Sequence, residues 1–311
     1  MKVPVIYILS NGRSGSTILD LMLGSFPNLW TLGEAQLLPL EIDFNAICGS
    51  GEPILESFFW KDLIPSIQLE DNNSSISYFR RSHPHGAHTG AVIRWKLLYE
   101  LFTAKFSKDT LGRVESYGKL NYDYFKKTIH HAEQNGFANK VEWIVDASKD
   151  PYRLMWLQKS GLFDIKVIHL VKRPSAFVYS TAKGKQQGMN PVMVARMTLR
   201  WIIENKIMSK VCDQCISPEN VYTLQYEELA QDPDKALSLI GERFGINLNG
   251  YSTNQFREYQ NFGVSGNKSR WENRSIFLDE KWKKHMPSKH IKFVNLWTQK
   301  LASRYGYKIM G

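Results

Sequence analysis

The sequence predicts an α/β fold of three layers, with a central, mostly parallel sheet covered by helices on both faces. Two observations point there. Four short apolar runs rich in β-branched residues each end at a polar turn, the pattern of strands buried on both sides. Behind each turn the spacing becomes helical, and strands alternating with helices build parallel sheets.

The elements follow in order. Val3–Leu9 reads as the first strand, Ser10–Gly15 as a tight turn, and Ser16–Leu23 as a helix. A long segment, about 35–140, follows with helical patches at Val92–Phe106 and Tyr122–Asn135 and a polar loop at 71–75. The second strand, Val141–Val145, leads through Asp146-Ala147-Ser148-Lys149-Asp150-Pro151 into a helix at Tyr152–Gly161. The third, Ile165–Val171, runs into Lys172-Arg173-Pro174 and a helix at Ser175–Lys183. The fourth, Val221–Leu224, precedes Tyr226-Glu227-Glu228-Leu229 and a helix at Asp234–Phe244. Ile291, Val294, Trp297 and Leu301 recur at steps of three and four, so His290–Tyr305 reads as an amphipathic closing helix. With no repeat, low-complexity tract or linker, one domain spanning 1–311 is expected, the 35–140 part being a largely helical insertion.

Composition narrows the function classes. The chain of 311 residues carries 40 Lys and Arg against 30 Asp and Glu, a net charge of +10. The halves differ: residues 1–150 hold 15 basic and 17 acidic side chains, residues 151–311 hold 25 and 13. An acidic disordered chain is excluded. A polyanionic ligand in the second half is the first reading, and charge alone leaves a nucleic-acid or anionic-membrane surface open. No apolar run approaches the ~20 residues of a membrane span, and the first nine residues are too short for a signal peptide. Cys48, Cys212 and Cys215 make no disulfide framework. A cytoplasmic protein without a membrane partner is expected.

The strongest local signal is Ser10-Asn11-Gly12-Arg13-Ser14-Gly15-Ser16-Thr17 between strand and helix. Glycines let the chain turn tightly, so backbone N–H groups and the helix N-terminus face an anion. Arg13 adds a planar donor, and Ser14, Ser16 and Thr17 add hydroxyls. No lysine follows Gly15 and only two residues separate the glycines, so this is not a Walker A loop.

Together with its companions, this turn resembles the sulfotransferases that use 3′-phosphoadenylyl sulfate (PAPS). Gly12–Thr17 is similar to their 5′-phosphosulfate loop, and Lys172-Arg173-Pro174 through Ser180 to their 3′-phosphate motif. Gly33-Glu34, Ser148-Lys149-Asp150-Pro151 and Tyr226-Glu227-Glu228-Leu229 resemble segments of the tyrosylprotein branch. Cys48-Gly49, Pro53 and Phe59-Trp60 resemble a segment of bacterial members. The chain departs from the family where Lys172 replaces the usual arginine and Arg173 an acidic residue. Lysine lacks the bidentate fork, so either residue is open as the 3′-phosphate ligand.

The resemblance implies a P-loop-kinase-like core, PAPS as donor with 3′-phosphoadenosine 5′-phosphate (PAP) as product, and no metal. It implies Glu34 as general base, Lys149 on the bridging oxygen, and Ser265 assisting at the sulfuryl group. The donor ligands it implies are Gly12, Arg13, Ser14, Gly15, Ser16, Thr17, Lys172, Arg173, Ser180, Tyr226, Asn267, Lys268, Ser269 and Arg270. By elimination the acceptor is a small hydroxylated or amine-bearing molecule. Its pocket is expected under the 35–140 segment, with His85, His88 and Arg94 as candidates. Two rivals remain: a nucleotide-binding kinase, for which Asp146 is the loose magnesium candidate, and a basic nucleic-acid-binding protein.

Overall fold

The structure is a computed structural model that describes residues 1–67, 95–183, 189–248, 256–271 and 276–308. β1 (Val3–Ser10) lies at the centre of a five-stranded sheet completed by β2 (Leu29–Thr31), β3 (Trp143–Asp146), β4 (Phe163–Val171) and β5 (Val221–Gln225). The order is β2-β3-β1-β4-β5, and every pairing is parallel. Val5 pairs with Ile144 on one side and Ile165 on the other.

Both faces of β1 are covered. Val5, Tyr7 and Leu9 enter a core with Phe59, Trp60, Tyr117 and Trp156. Ile6 and Ile8 enter a second core with Leu19, Met22, Leu237 and Phe244. Each fully buried aliphatic side chain contributes about 1.5–3 kcal/mol, which explains the continuous apolar run.

The expected α/β sheet is therefore present, with differences in detail. β2 was not expected: Leu29-Trp30-Thr31 is too short to show a period. The Tyr122–Asn135 patch is the second half of a helix running Lys108–Gln134. Its first half carries an exposed ion pair, Lys119 with Glu115, and reads as polar. The Val92–Phe106 patch forms a helix at Trp95–Thr103, and 92–94 fall outside the described residues. A long helix, Pro191–Cys215, adds an element between β4 and β5. The closing helix forms over Ser288–Arg304, but Trp297 is 63% exposed instead of joining its buried stripe.

Candidate active site

The C-terminal ends of β1, β3 and β4 lie side by side, where parallel sheets place ligands. The turn after β1 is anchored from beneath by the Pro191–Cys215 helix. Asn11 donates to Glu204 Oε2 at 2.6 Å and accepts from Asn205 Nδ2 at 2.8 Å. Arg200 Nε holds the other Glu204 oxygen at 2.7 Å. Arg13 (φ 69°) and Gly15 (φ 90°) are left-handed, and the helix begins at Ser16. At Gly15 a Cβ would also meet the Tyr226 ring at 2.4 Å, so only glycine fits.

Three further segments run past the sheet in register. Leu32 N–H donates to Val145 O, Val264 N–H to Leu32 O, Glu34 N–H to Val264 O, and Ala147 N–H to Gly33 O, at 2.7–2.9 Å. These contacts set Glu34, Lys149 and Ser265 around one opening. Lys149 Nζ lies 2.6 Å from Glu34 Oε1, with both side chains about one-eighth exposed. The Lys149 loop is pinned on each side. Asp146 Oδ1 accepts from Ser148 N–H at 3.0 Å, and Asp150 caps the Pro151–Ser160 helix. Tyr7 OH reaches Asp150 O at 2.8 Å. Lys149 (φ 64°) and Ser265 (φ 56°) are left-handed like Arg13. Strained backbone of this kind collects at functional sites.

These parts line a cleft of about 630 Å³. Gly12, Arg13, Gly15, Ser16, Thr17, Glu34, Lys149, Lys172, Ser180, Tyr226, Ser265 and Asn267 all border it. Arg13 Nε approaches Ser180 Oγ at 3.5 Å, and Lys172 Nζ stands 4.2 Å from the centre of the Tyr226 ring. Burial pushes the Lys172 ammonium down from its usual range, partly offset by Glu227 and Asp279. Cations and hydroxyl-bearing residues thus border the cavity together with apolar Leu229, Ile276 and Phe277. The arrangement suits an anionic ligand.

The sequence profile of the sulfotransferase family matches residues 4–250. The chain belongs to the sulfotransferase family. It is an enzyme of that family with sulfotransferase activity. The sulfotransferase domain of the Synechococcus PCC 7002 olefin synthase is similar in fold. It is 21% identical, with 100% of this chain and 98% of that one covered, and a TM-score of 0.58. The sulfotransferase domain from the curacin biosynthetic pathway is 20% identical over 100% of both chains, with a TM-score of 0.48. Sulfotransferase STF9 from Mycobacterium avium is 13% identical over 100% of this chain and 78% of its own, with a TM-score of 0.48. None of the curated proteins matches the chain.

Other expected residues of the sulfotransferase lie elsewhere. Ser14 is fully buried. Arg173 stacks its guanidinium 5.2 Å from the Tyr307 ring, and its N–H donates to Glu227 at 3.1 Å, away from the cleft wall that Lys172 forms. Arg270 turns inward. Its Nη1 donates to Gly263 O at 2.6 Å, its guanidinium fills the space beside Gly266, and Asp20, Glu34 and Glu41 are the acids near it. Asp20, 1% exposed, is pushed up to about 6 by burial, against the pull of Arg270 and Lys149. The side chains of Lys268 and Ser269 and the residues His85, His88 and Arg94 lie outside the described residues. Of the described part of 35–140, Leu37 reaches the cleft.

Asp146 is not available to a magnesium ion. Its Oδ2 is held by Arg153 Nε at 2.9 Å and Nη2 at 2.8 Å, its Oδ1 by Ser148, and the pair is wholly buried. The kinase reading loses its acidic ligand. Arg257, Asp279 and Lys281 also line the cleft and were missed. Lys281 belongs to a basic run that reads as a solvated face, and no spacing links it to Arg13. Among the described residues no helix is long and apolar enough to cross a membrane.

Proposed function

We propose that the enzyme transfers a sulfuryl group from PAPS to a hydroxyl or amine of a small-molecule acceptor. The observation that carries this reading is the Glu34–Lys149 pair, 2.6 Å apart, opening on the same cleft as the Arg13–Thr17 turn. When bound, PAPS supplies an activated sulfuryl group and leaves as PAP. The residues present fit it: the turn is left-handed at Arg13 and Gly15, and five cations, Arg13, Lys149, Lys172, Arg257 and Lys281, border one cavity.

Arg13, the turn amides, Ser16 and Thr17 hold the 5′-phosphate and sulfate, where a helix N-terminus favours negative charge. Lys172 and Ser180 hold the 3′-phosphate, and Tyr226 with Leu229 and Ile276 holds the base. Asn267 borders the sulfuryl end, its N–H donating to Thr17 Oγ1 at 3.3 Å. Glu34 accepts the proton of the acceptor hydroxyl or amine. Lys149 and Ser265 stabilise the charge that develops beside it, in a loose transfer that depends mainly on positioning. Leu37, in the 35–140 segment, borders the cleft where the acceptor would lie.

Calorimetry with PAP tests the donor site. Micromolar binding, with AMP much weaker for want of a 3′-phosphate, is expected. Equal binding of the two, or none, rejects the donor. Glu34→Gln should abolish turnover with PAP affinity near wild type, and an active variant removes Glu34 as base.

A further inference from the structure

The residues after Glu280 include eight Lys and Arg and no Asp or Glu, most of the chain's net charge of +10. Their main element, the Ser288–Arg304 helix, packs through Val294 and Ala302 on Phe177, Met197 and Trp201. Its opposite face carries Lys289, Lys292, Phe293, Leu296 and Lys300 at helical steps of three and four, all exposed. Leu296 is 71% and Trp297 63% exposed, and the Phe293 ring lies 6.1 Å from that of Trp297. The Lys281–His285 helix adds exposed Lys283 and Lys284 on its approach.

We propose that this face docks the enzyme on an anionic lipid bilayer surface. The lysines meet the headgroups, and Phe293, Leu296 and Trp297 enter the boundary between headgroups and acyl chains. Basic residues beside exposed Trp, Phe and Leu on one helix are the chemistry of an interfacial helix. Trp and Lys suit that boundary because each joins an apolar body to a polar tip. Charge complementarity selects the occupant. A second copy of this face would set its positive charges against like charges. A nucleic acid would satisfy the lysines but leave Leu296 without an apolar partner. The outer side of a helix is convex, which suits a plane of headgroups. No membrane span is needed, and the proposal stands whether or not the donor assignment does.

The test is co-sedimentation with vesicles of phosphatidylcholine containing 30% phosphatidylglycerol, against vesicles of phosphatidylcholine alone. Wild type should bind the anionic vesicles at least tenfold more tightly and release them in high salt. Leu296→Ser/Trp297→Ser and Lys289→Glu/Lys292→Glu should each weaken binding at least tenfold, with unfolding temperatures unchanged because these side chains are exposed. Wild type failing to bind overturns the proposal. So does binding that ignores the Leu296/Trp297 pair, which marks plain adsorption of charge. A change of oligomeric mass in those variants, without loss of vesicle binding, assigns the face to a second copy instead. Tighter retention on single-stranded DNA than on vesicles, dependent on the lysines alone, assigns it to nucleic acid.

Discussion

His169 is the residue whose protonation should set the enzyme's acid limit. It lies on β4, 2% exposed, with its ring 5.3 Å from Tyr305. Burial and the charge of Arg304 push its imidazole down from 6.5 to about 4, against the hydrogen bond of Asn205 and the pull of Asp213. The native state holds it neutral, so between these values the unfolded chain binds the extra proton. Stability from this group is therefore present above pH 6.5 and lost as pH falls toward 4. At ~1.36 kcal/mol per unit the loss is about 3 kcal/mol, most of it incurred by pH 4.5. Urea unfolding of wild type and His169→Gln at pH 7.5 and 4.5 isolates it. Wild type should lose roughly 2–3 kcal/mol more than the variant between the two pH values. Parallel losses would refute the reasoning. The effect should reach the donor turn, because Asn205, beside His169, donates to Asn11 at 2.8 Å.

Other predictions follow from the same contacts. Lys172→Ala should reduce PAP affinity at least tenfold and erase its advantage over AMP in calorimetry. Arg173→Ala, whose side chain stacks on Tyr307, should leave that advantage in place. Arg270→Gln should keep the preference for PAP over AMP while lowering the unfolding temperature, since Arg270 braces Gly263 and not the cleft. Arg153→Met strands Asp146 as a buried charge, and about 3–5 kcal/mol of destabilisation is expected in urea unfolding. Adding Asp146→Asn should recover part of that loss.

Legibility in the sequence followed the range of each interaction. The Gly12–Thr17 turn, Lys172-Arg173-Pro174 and Lys149-Asp150-Pro151 announce themselves because glycine, proline and charge act on their own backbone. Four of five strands were visible as apolar runs, and β2 was too short to be. The meeting of Glu34 with Lys149 spans 115 residues of chain, and only the family resemblance hinted at it. The inward turn of Arg270 was not readable. A basic residue in a loop gives no sign of which side it faces, and the acids that draw it in lie on distant segments. Trp297 misled for a related reason: helical period reports a stripe, and whether a neighbour covers it depends on packing.

The left-handed backbone at Arg13, Lys149 and Ser265 has a consequence for engineering. Glycine would occupy each of these positions with less strain, by about 1 kcal/mol. Selection for heat resistance alone would therefore drift toward glycine at the three places where charge or a hydroxyl faces the cleft. A thermostabilised enzyme should carry these three residues as fixed and seek its gains elsewhere.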